Sequence, residues 1–121
     1  FSNLKLNNKD PVYIQISLFV KQQILLKNAV NGDELPSRRE LAVQLNINPN
    51  TVQKAYKLME EQGFVVTKGN QGSYIYLDEF IYSRIETELT RDMVADFIKS
   101  AKEINMSFKR IIDLISELWD E

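Results

Sequence analysis

The feature that most restricts the fold of this chain is a short segment, residues 35–42, that carries the signals of a helix start. Ser37 and Glu40 stand three residues apart, and Pro36 precedes them directly. This spacing predicts a capping box, in which the side chain of each residue accepts a hydrogen bond from the backbone N–H of the other. We therefore expect a helix to begin immediately after Pro36.

A second helix start follows closely. Asn48 is a residue type that caps helices, and Pro49 suits the first helical position because an N–H there would have no helical partner. Gly63 predicts the end of that helix about four turns later. Two short helices joined by a tight turn form a helix-turn-helix. Near its start, the second or recognition helix would present side chains of types found in DNA grooves, namely Pro49, Asn50, Gln53, Lys54 and Lys57.

The composition excludes several kinds of functional site. The 121-residue chain has no cysteine and no histidine, which rules out disulfides, Cys/His zinc sites, thiol nucleophiles and Ser-His triads. It shows no cofactor fingerprint, so we predict neither an enzyme nor a bound cofactor or metal. No apolar run is long enough to span a bilayer and the N-terminus lacks a signal-peptide core, so we predict a cytoplasmic protein without membrane contact.

The net charge of −2 is distributed unevenly along the chain. Residues 36–75 carry five basic and three acidic side chains, whereas residues 76–121 carry six basic and eleven acidic ones. The helix-turn-helix segment is therefore mildly positive and able to approach phosphates, and the excess of acid lies in the C-terminal third.

Apolar residues at helical spacing predict a three-helix core. An earlier helix is predicted to start at Asp10-Pro11, by the same logic of cap and proline, and to end near Asn31-Gly32. The three facing stripes are Ile16, Val20 and Ile24 with Phe19; Leu41, Leu45 and Ile47; and Val52, Tyr56 and Met59.

Two runs rich in β-branched and aromatic residues, 64–68 and 73–77, follow the recognition helix. The loop between them, Gly69-Asn70-Gln71-Gly72, contains residue types that accept positive φ, so the runs predict a β-hairpin. We call residues 64–77 the wing. Three helices followed by a wing form a winged helix-turn-helix, which we assign to residues 8–78.

Beyond Asp78 an apolar residue recurs every three or four positions. This pattern predicts one long amphipathic helix to Ile104, a break at 105–107 and a second, shorter helix, so the whole fold is mainly α with a small β-hairpin. Two such helices cannot bury both apolar stripes against each other, and we expect a second copy of the chain to cover the remainder. Residues 79–121 are thus predicted to be a two-helix dimerisation region. Its predicted interface is Ile85, Leu89, Met93, Phe97, Phe108, Ile111, Ile115 and Trp119.

Several short motifs follow one another between residues 10 and 77. They are Pro11-x-Tyr13-x-Gln15-Ile16, Gly32-Asp33-x-Leu35-Pro36-Ser37-x-Arg39-Glu40-Leu41-Ala42, Asn50-Thr51-Val52-x-Lys54-Ala55-Tyr56, Glu61-x-Gly63-Phe64 and Gly72-Ser73-Tyr74-Ile75. Together they resemble the N-terminal domain of GntR-family transcriptional regulators. The short two-helix tail resembles the YtrA subfamily, which implies a homodimeric repressor of an operon such as one for an ABC transporter.

The resemblance implies roles in binding a palindromic DNA operator. Arg39 would contact a phosphate or a guanine edge and Thr51 the DNA backbone, while Asn50 and Gln53 could each bond an adenine. Lys68 would approach a phosphate or the minor groove from the wing. The full set predicted to bind DNA is Ser37, Arg38, Arg39, Asn48, Pro49, Asn50, Thr51, Gln53, Lys54, Lys57, Lys68, Gly69, Asn70, Gln71 and Gly72.

Other interpretations of some of these residues stay open. Arg38, Lys54 and Lys57 could be solvated side chains or loose phosphate partners. Pro49 stands where many family members carry arginine or another polar residue, and Asn70 stands where the wing usually has its first glycine. Base preference is therefore not transferred from the family.

A protein-interaction module is the alternative function from another class. Winged helices of that kind need the same core but no polar side chains on the recognition helix, so Asn50, Gln53 and Arg39 favour DNA. The sequence leaves the operator, the regulated genes and any small-molecule effector unknown.

Overall fold

The structure, a computed structural model, describes residues 1–121. It contains five α-helices and one antiparallel sheet of two strands, which confirms the predicted winged helix-turn-helix followed by two helices. The elements are α1 (Val12–Leu25), α2 (Arg38–Leu45), α3 (Pro49–Glu61), β1 (Val65–Thr67), a 3₁₀ turn (Gly69–Gln71), β2 (Ser73–Ile75), α4 (Glu79–Glu103) and α5 (Phe108–Leu118).

The start of α1 differs from its prediction. The helix begins at Val12, its cap residue is Pro11, and no side chain caps it, so the role predicted for Asp10 is wrong. The buried side chain of Gln15 instead accepts a hydrogen bond from the Asn7 N–H at 2.9 Å and donates to the carbonyl oxygens of Asn7 and Asp10. The preceding chain is thereby attached to the first turn of α1.

The end of α1 also differs, because the helix stops at Leu25 rather than near Asn31-Gly32. Lys27 adopts a left-handed φ of 66°, and the Asn28 N–H donates to the carbonyl oxygen of Gln23 at 2.9 Å. This is the Schellman closure that glycine usually makes. A lysine in that position gives no sequence signal for a helix end.

The predicted caps of α2 and α3 are confirmed. Ser37 Oγ accepts from the Glu40 N–H at 3.1 Å, and Glu40 Oε1 accepts from the Ser37 N–H at 3.0 Å. Asn48 Oδ1 accepts from a first-turn N–H of α3 at 2.8 Å. Asn46 ends α2 with a left-handed φ of 55°, and Gly63 with a φ of 87° follows the last turn of α3. Local side-chain and backbone contacts therefore define both helices of the motif.

The core of the winged domain lies among α1, α2 and α3. The residues of the predicted stripes are buried, except that Phe19, Leu45 and Ile47 are half-buried. Apolar side chains from the wing and from the start of α4 complete the same core, including Phe64, Val65, Ile75, Ile81 and Ile85.

The wing is attached to the segment that precedes α2. In the hairpin Val65 pairs with Ile75. On the other edge of β2, the Ile75 N–H donates to the carbonyl oxygen of Asp33 at 2.8 Å, and the Leu35 N–H donates to that of Ser73 at 2.9 Å. This additional pairing, which the sequence pattern does not indicate, leaves β2 with backbone partners on both sides.

The chain forms two compact units, residues 1–85 and residues 86–121, which we call the winged unit and the C-terminal unit. The division falls after Ile85 rather than after Asp78, the end of the predicted winged domain. Ile81 and Ile85 are buried, so the first turns of α4 belong to the winged unit.

The C-terminal unit contains the rest of α4 and all of α5. Asn105 interrupts the helices with a left-handed φ of 60°, and Ser107 Oγ caps α5 by accepting from the Arg110 N–H at 3.1 Å. The predicted break at 105–107 is therefore confirmed. The chain contains no helix whose length and apolar character would allow it to cross a membrane.

Ser37→Ala is expected to lower the free energy of unfolding by about 1 kcal/mol, because the Glu40 N–H loses its acceptor. Urea denaturation followed by circular dichroism measures this change. Ser83→Ala is the matched control, since Ser83 is exposed within α4. An equal loss of stability in both variants would contradict the role of Ser37 as a cap.

Candidate nucleic-acid interface

Helix α3 presents one exposed polar face, and the burial of its opposite side determines which residues form that face. Its inward side chains have no exposed surface, and they are Val52, Ala55, Tyr56 and Met59. The positions between them recur every three or four residues and therefore share the outer side of the helix. The predicted residues Asn50, Gln53, Lys54 and Lys57 are all exposed there.

The polar groups on this face are largely unused within the chain. Gln53 and Lys57 form no hydrogen bond or ion pair in the structure. Asn48 is different, because its side chain is occupied as the cap of α3. Pro49 is exposed at the first position of the helix, and Thr51 is half-buried.

The start of α2 adds a further exposed cation. Arg39 is exposed and has no ion-pair partner in the chain. Ser37, by contrast, is occupied as the helix cap. The hydrogen bond from the Ser37 backbone N–H, and to a lesser extent the Ser37 hydroxyl, hold the pKa of the Glu40 carboxyl below its ordinary value. The capping carboxylate therefore stays ionised as an acceptor.

Arg38, which the sequence predicts to contact DNA, has partners within the chain. Its Nη2 lies 3.2 Å from Glu60 Oε1, and its guanidinium carbon lies 4.9 Å from the centre of the Tyr56 ring. Only 31% of the Arg38 side chain is exposed. The guanidinium is thus engaged inside the winged unit, whereas Arg39 beside it is not.

The tip of the wing is a tight turn with its own hydrogen bonds. The Lys68 N–H donates to the carbonyl oxygen of Gly72, and the Gln71 N–H donates to that of Lys68, both at 2.9 Å. The Tyr74 hydroxyl donates to the Gln71 carbonyl oxygen at 2.7 Å, and the Lys68 ammonium lies 5.1 Å from the centre of the Tyr74 ring. Hydrogen bonds within the turn therefore hold the predicted tip residues together between β1 and β2.

Two glycines make this turn possible. Gly69 and Gly72 have left-handed φ values of 53° and 103°, whereas Asn70 does not have a positive φ. A Cβ atom on Gly72 would lie 3.0 Å from Glu34 Oε2. Asn70 therefore does not replace the conformational freedom of a glycine, because its neighbours already supply it.

Tyr13 is a neighbour of this face that the sequence did not assign to it. The Lys54 ammonium lies 4.2 Å from the centre of the Tyr13 ring, which is close enough for a cation–π interaction. Tyr13 belongs to a motif quoted above, but nothing in its position along the chain relates it to Lys54. Only the packing of α1 against α3 brings the two together.

Most residues of the predicted dimer interface belong to the C-terminal unit, where they are exposed or half-buried. Met93, Phe108 and Trp119 have 71%, 77% and 79% of their surface exposed. Ile85 is a correction to the prediction: only 1% of it is exposed, because it packs in the core of the winged unit.

Helices α4 and α5 line an open apolar groove of about 680 Å³ within the C-terminal unit. Its walls include five residues of the predicted interface, namely Met93, Phe97, Ile111, Ile115 and Trp119. One chain alone therefore leaves a large apolar surface in contact with water.

Comparison with known proteins identifies the family. Residues 13–75 match the family model described as "Bacterial regulatory proteins, gntR family". The chain is 35% identical over 103 residues to the uncharacterized HTH-type transcriptional regulator YhcF of Bacillus subtilis, and the match covers 85% of each protein. It is 46% identical over 65 residues to the HTH-type transcriptional repressor YtrA of the same organism, covering 54% of this chain and 50% of that protein.

The fold comparison agrees with the sequence comparison. A GntR family transcriptional regulator from Listeria monocytogenes superposes with a TM-score of 0.85 at 27% identity, over 93% of this chain and 99% of that one. The chain therefore belongs to the GntR family and is YtrA-like, a transcriptional regulator with a winged helix-turn-helix DNA-binding domain and not an enzyme.

Proposed function

We propose that this regulator is a homodimeric repressor that binds a two-fold symmetric operator. The observation that carries the proposal is the exposed face of α3, whose polar groups find few partners within the chain. The N-terminal half of α3 would enter the major groove, with Asn50 and Gln53 at base edges. Thr51 would contact the DNA backbone at the start of the helix.

Charge supports DNA as the partner of this face. The winged unit carries ten basic and eight acidic side chains, although the whole chain has a net charge of −2. Arg39, Lys54, Lys57 and Lys68 are all exposed cations, and we assign them to phosphates. Gly69, Asn70, Gln71 and Gly72 would bring the backbone of the wing close to the duplex.

The C-terminal helices supply the second part of the proposal, the homodimer. Within the C-terminal unit, the large apolar residues with at least 40% of their surface exposed are Met93, Val94, Phe97, Ile98, Ile104, Phe108, Ile112, Ile115, Leu118 and Trp119. Apolar surface of this extent on one unit is typical of an interface, and a two-fold symmetric dimer is the commonest solution. Each subunit would then bind one half-site.

Repression, rather than activation, is supported by the likeness to YtrA of Bacillus subtilis, which is named a transcriptional repressor. We further propose, from the family resemblance alone, that the target is an operon such as one for an ABC transporter. Deletion of the gene should then raise transcript levels of its neighbouring operon.

Binding should weaken with salt, because about three or four phosphates would be neutralised by each subunit. For a dimer the slope of log affinity against log salt concentration should be about −5 to −7. Fluorescence-anisotropy titrations of random-sequence duplex and of a duplex enriched from a random pool measure this slope. A slope near zero on both duplexes would favour a protein-interaction module instead.

Gln53→Ala is expected to separate base recognition from phosphate contact. It should cost about 1–3 kcal/mol on the enriched duplex and little on random duplex, since only the former offers the matching base. Lys57→Ala, one turn along the same exposed face, should weaken both complexes by similar and smaller amounts. Equal losses on the two duplexes for Gln53→Ala would mean that Gln53 does not contact a base.

Ile115→Glu is expected to convert the dimer into a monomer, because it places a charge in the apolar groove of the C-terminal unit. Sedimentation equilibrium measures the mass. Val43→Glu is the control, since Val43 is 77% exposed but lies on α2. An Ile115→Glu protein that still sediments as a dimer would contradict the proposed interface.

Operator affinity of the Ile115→Glu protein should fall by orders of magnitude, because the second half-site contact loses its high effective concentration. A point variant is preferable to truncation after Asp78. Such a truncation would also remove Ile81 and Ile85, which are buried in the winged unit.

A further inference from the structure

We propose that Glu60 is a positioning residue that fixes the wing relative to the recognition helix, and that DNA binding by the wing depends on it. The inference rests on the proposed DNA-binding function. It concerns a chain of polar contacts among α2, α3, β1 and β2 that we call the Glu60 bridge: Arg38, Glu60, Thr67 and Ser73.

Glu60 is the centre of the bridge because one of its oxygens has two partners from different elements. Glu60 Oε1 lies 3.2 Å from Arg38 Nη2, at the first position of α2, and accepts a hydrogen bond from Thr67 Oγ1 at 2.8 Å. Thr67 is the last residue of β1, directly before Lys68 at the wing tip. Its hydroxyl lies 2.8 Å from Ser73 Oγ at the start of β2.

The bridge is partly shielded from water. Ser73 is 3% exposed, about a third of the Arg38 and Glu60 side chains is exposed, and Thr67 is exposed. The Tyr56 ring supports Arg38, because the ring centre lies 4.9 Å from the guanidinium carbon. Tyr56 itself has no exposed surface. Partly desolvated ion pairs and charge-assisted hydrogen bonds are stronger than those in water, and removing one partner leaves the other uncompensated.

The position of the bridge explains why it should matter for DNA. The exposed face of α3 and the tip of the wing are separate elements, and both must meet the same duplex. The hairpin is only three residues long on each strand. Glu60 ties the end of β1 to the C-terminal half of α3, so the angle of the wing follows the angle of the recognition helix.

A purely electrostatic view of Glu60 makes the opposite prediction. A carboxylate on the DNA-binding helix repels phosphate, so its removal should tighten binding. Glu61 gives the matched comparison, because it is the adjacent exposed carboxylate of α3 and has no hydrogen-bond or ion-pair partner in the chain. The two substitutions, Glu60→Ala and Glu61→Ala, remove the same charge from the same helix.

The first experiment needs no DNA. Hydrogen–deuterium exchange of the full chain should show the segment 64–75 exchanging about tenfold faster in Glu60→Ala than in the wild type, with α1 unchanged. Glu60→Gln keeps an oxygen acceptor and should restore most of the protection. Thr67→Val, which removes only the hydroxyl that Glu60 accepts from, should loosen the same segment. Exchange in Glu60→Ala equal to that in Glu61→Ala would overturn the bridge.

The second experiment uses a duplex enriched from a random-sequence pool by the wild-type protein. Glu60→Ala should bind it about threefold to tenfold more weakly, whereas Glu61→Ala should bind as well as the wild type or better. Lys68→Ala should weaken duplex binding when introduced into the wild-type protein. It should have little further effect on binding in the Glu60→Ala background, because the wing is then already misplaced.

Tighter binding by Glu60→Ala, or fully additive losses with Lys68→Ala, would overturn the positioning role. Failure of the wild-type protein to enrich or bind any duplex would instead contradict the proposed DNA-binding function. The exchange measurements need no DNA, so they would still test the Glu60 bridge in that case. The two failures are therefore distinguishable.

Discussion

The packing of the apolar side of α3 around Tyr56 is the interaction on which the winged unit depends. Tyr56 is fully buried, and its hydroxyl donates to the carbonyl oxygen of Pro36 at 2.5 Å. Burial raises the pKa of the Tyr56 hydroxyl above its ordinary value, so it remains a protonated donor. Truncation of such a buried aromatic side chain typically costs about 3–5 kcal/mol, a large part of the stability of a small domain.

This packing also decides which residues face outward. Because Val52, Tyr56 and Met59 are buried, the orientation of α3 about its own axis is fixed. Asn50, Gln53 and Lys57 must then lie on the outer side. The same buried tyrosine supports Arg38, which pairs with Glu60, so the core and the attachment of the wing share one side chain.

The charged residues show why a count of cations overestimates the surface offered to a partner. Arg38 pairs with Glu60, Lys21 is 5% exposed, and the Lys27 ammonium lies 3.9 Å from the centre of the Tyr82 ring. Arg39 and Lys57 have no such contacts. Adjacent residues of one type, such as Arg38 and Arg39, thus serve different purposes according to where the helix directs them.

The sequence by itself determined the features that depend on neighbours along the chain. Ser37 with Glu40, Asn48 with Pro49, and Gly63 define the helices of the motif through contacts within a single turn. Such contacts form between residues a few positions apart, so spacing predicts them. Hydrophobic periodicity similarly predicted the core and both C-terminal helices, and runs of β-branched and aromatic residues predicted the hairpin.

Only the tertiary structure decided what depends on distant partners. Examples are the edge pairing of Asp33 with Ile75, the engagement of Arg38 with Glu60, and the burial of Ile85 in the winged unit. Each requires elements far apart along the chain to pack at a particular distance and angle. Residue type and spacing carry no record of that geometry, because an arginine or an isoleucine is equally compatible with either environment until the neighbouring elements are in place.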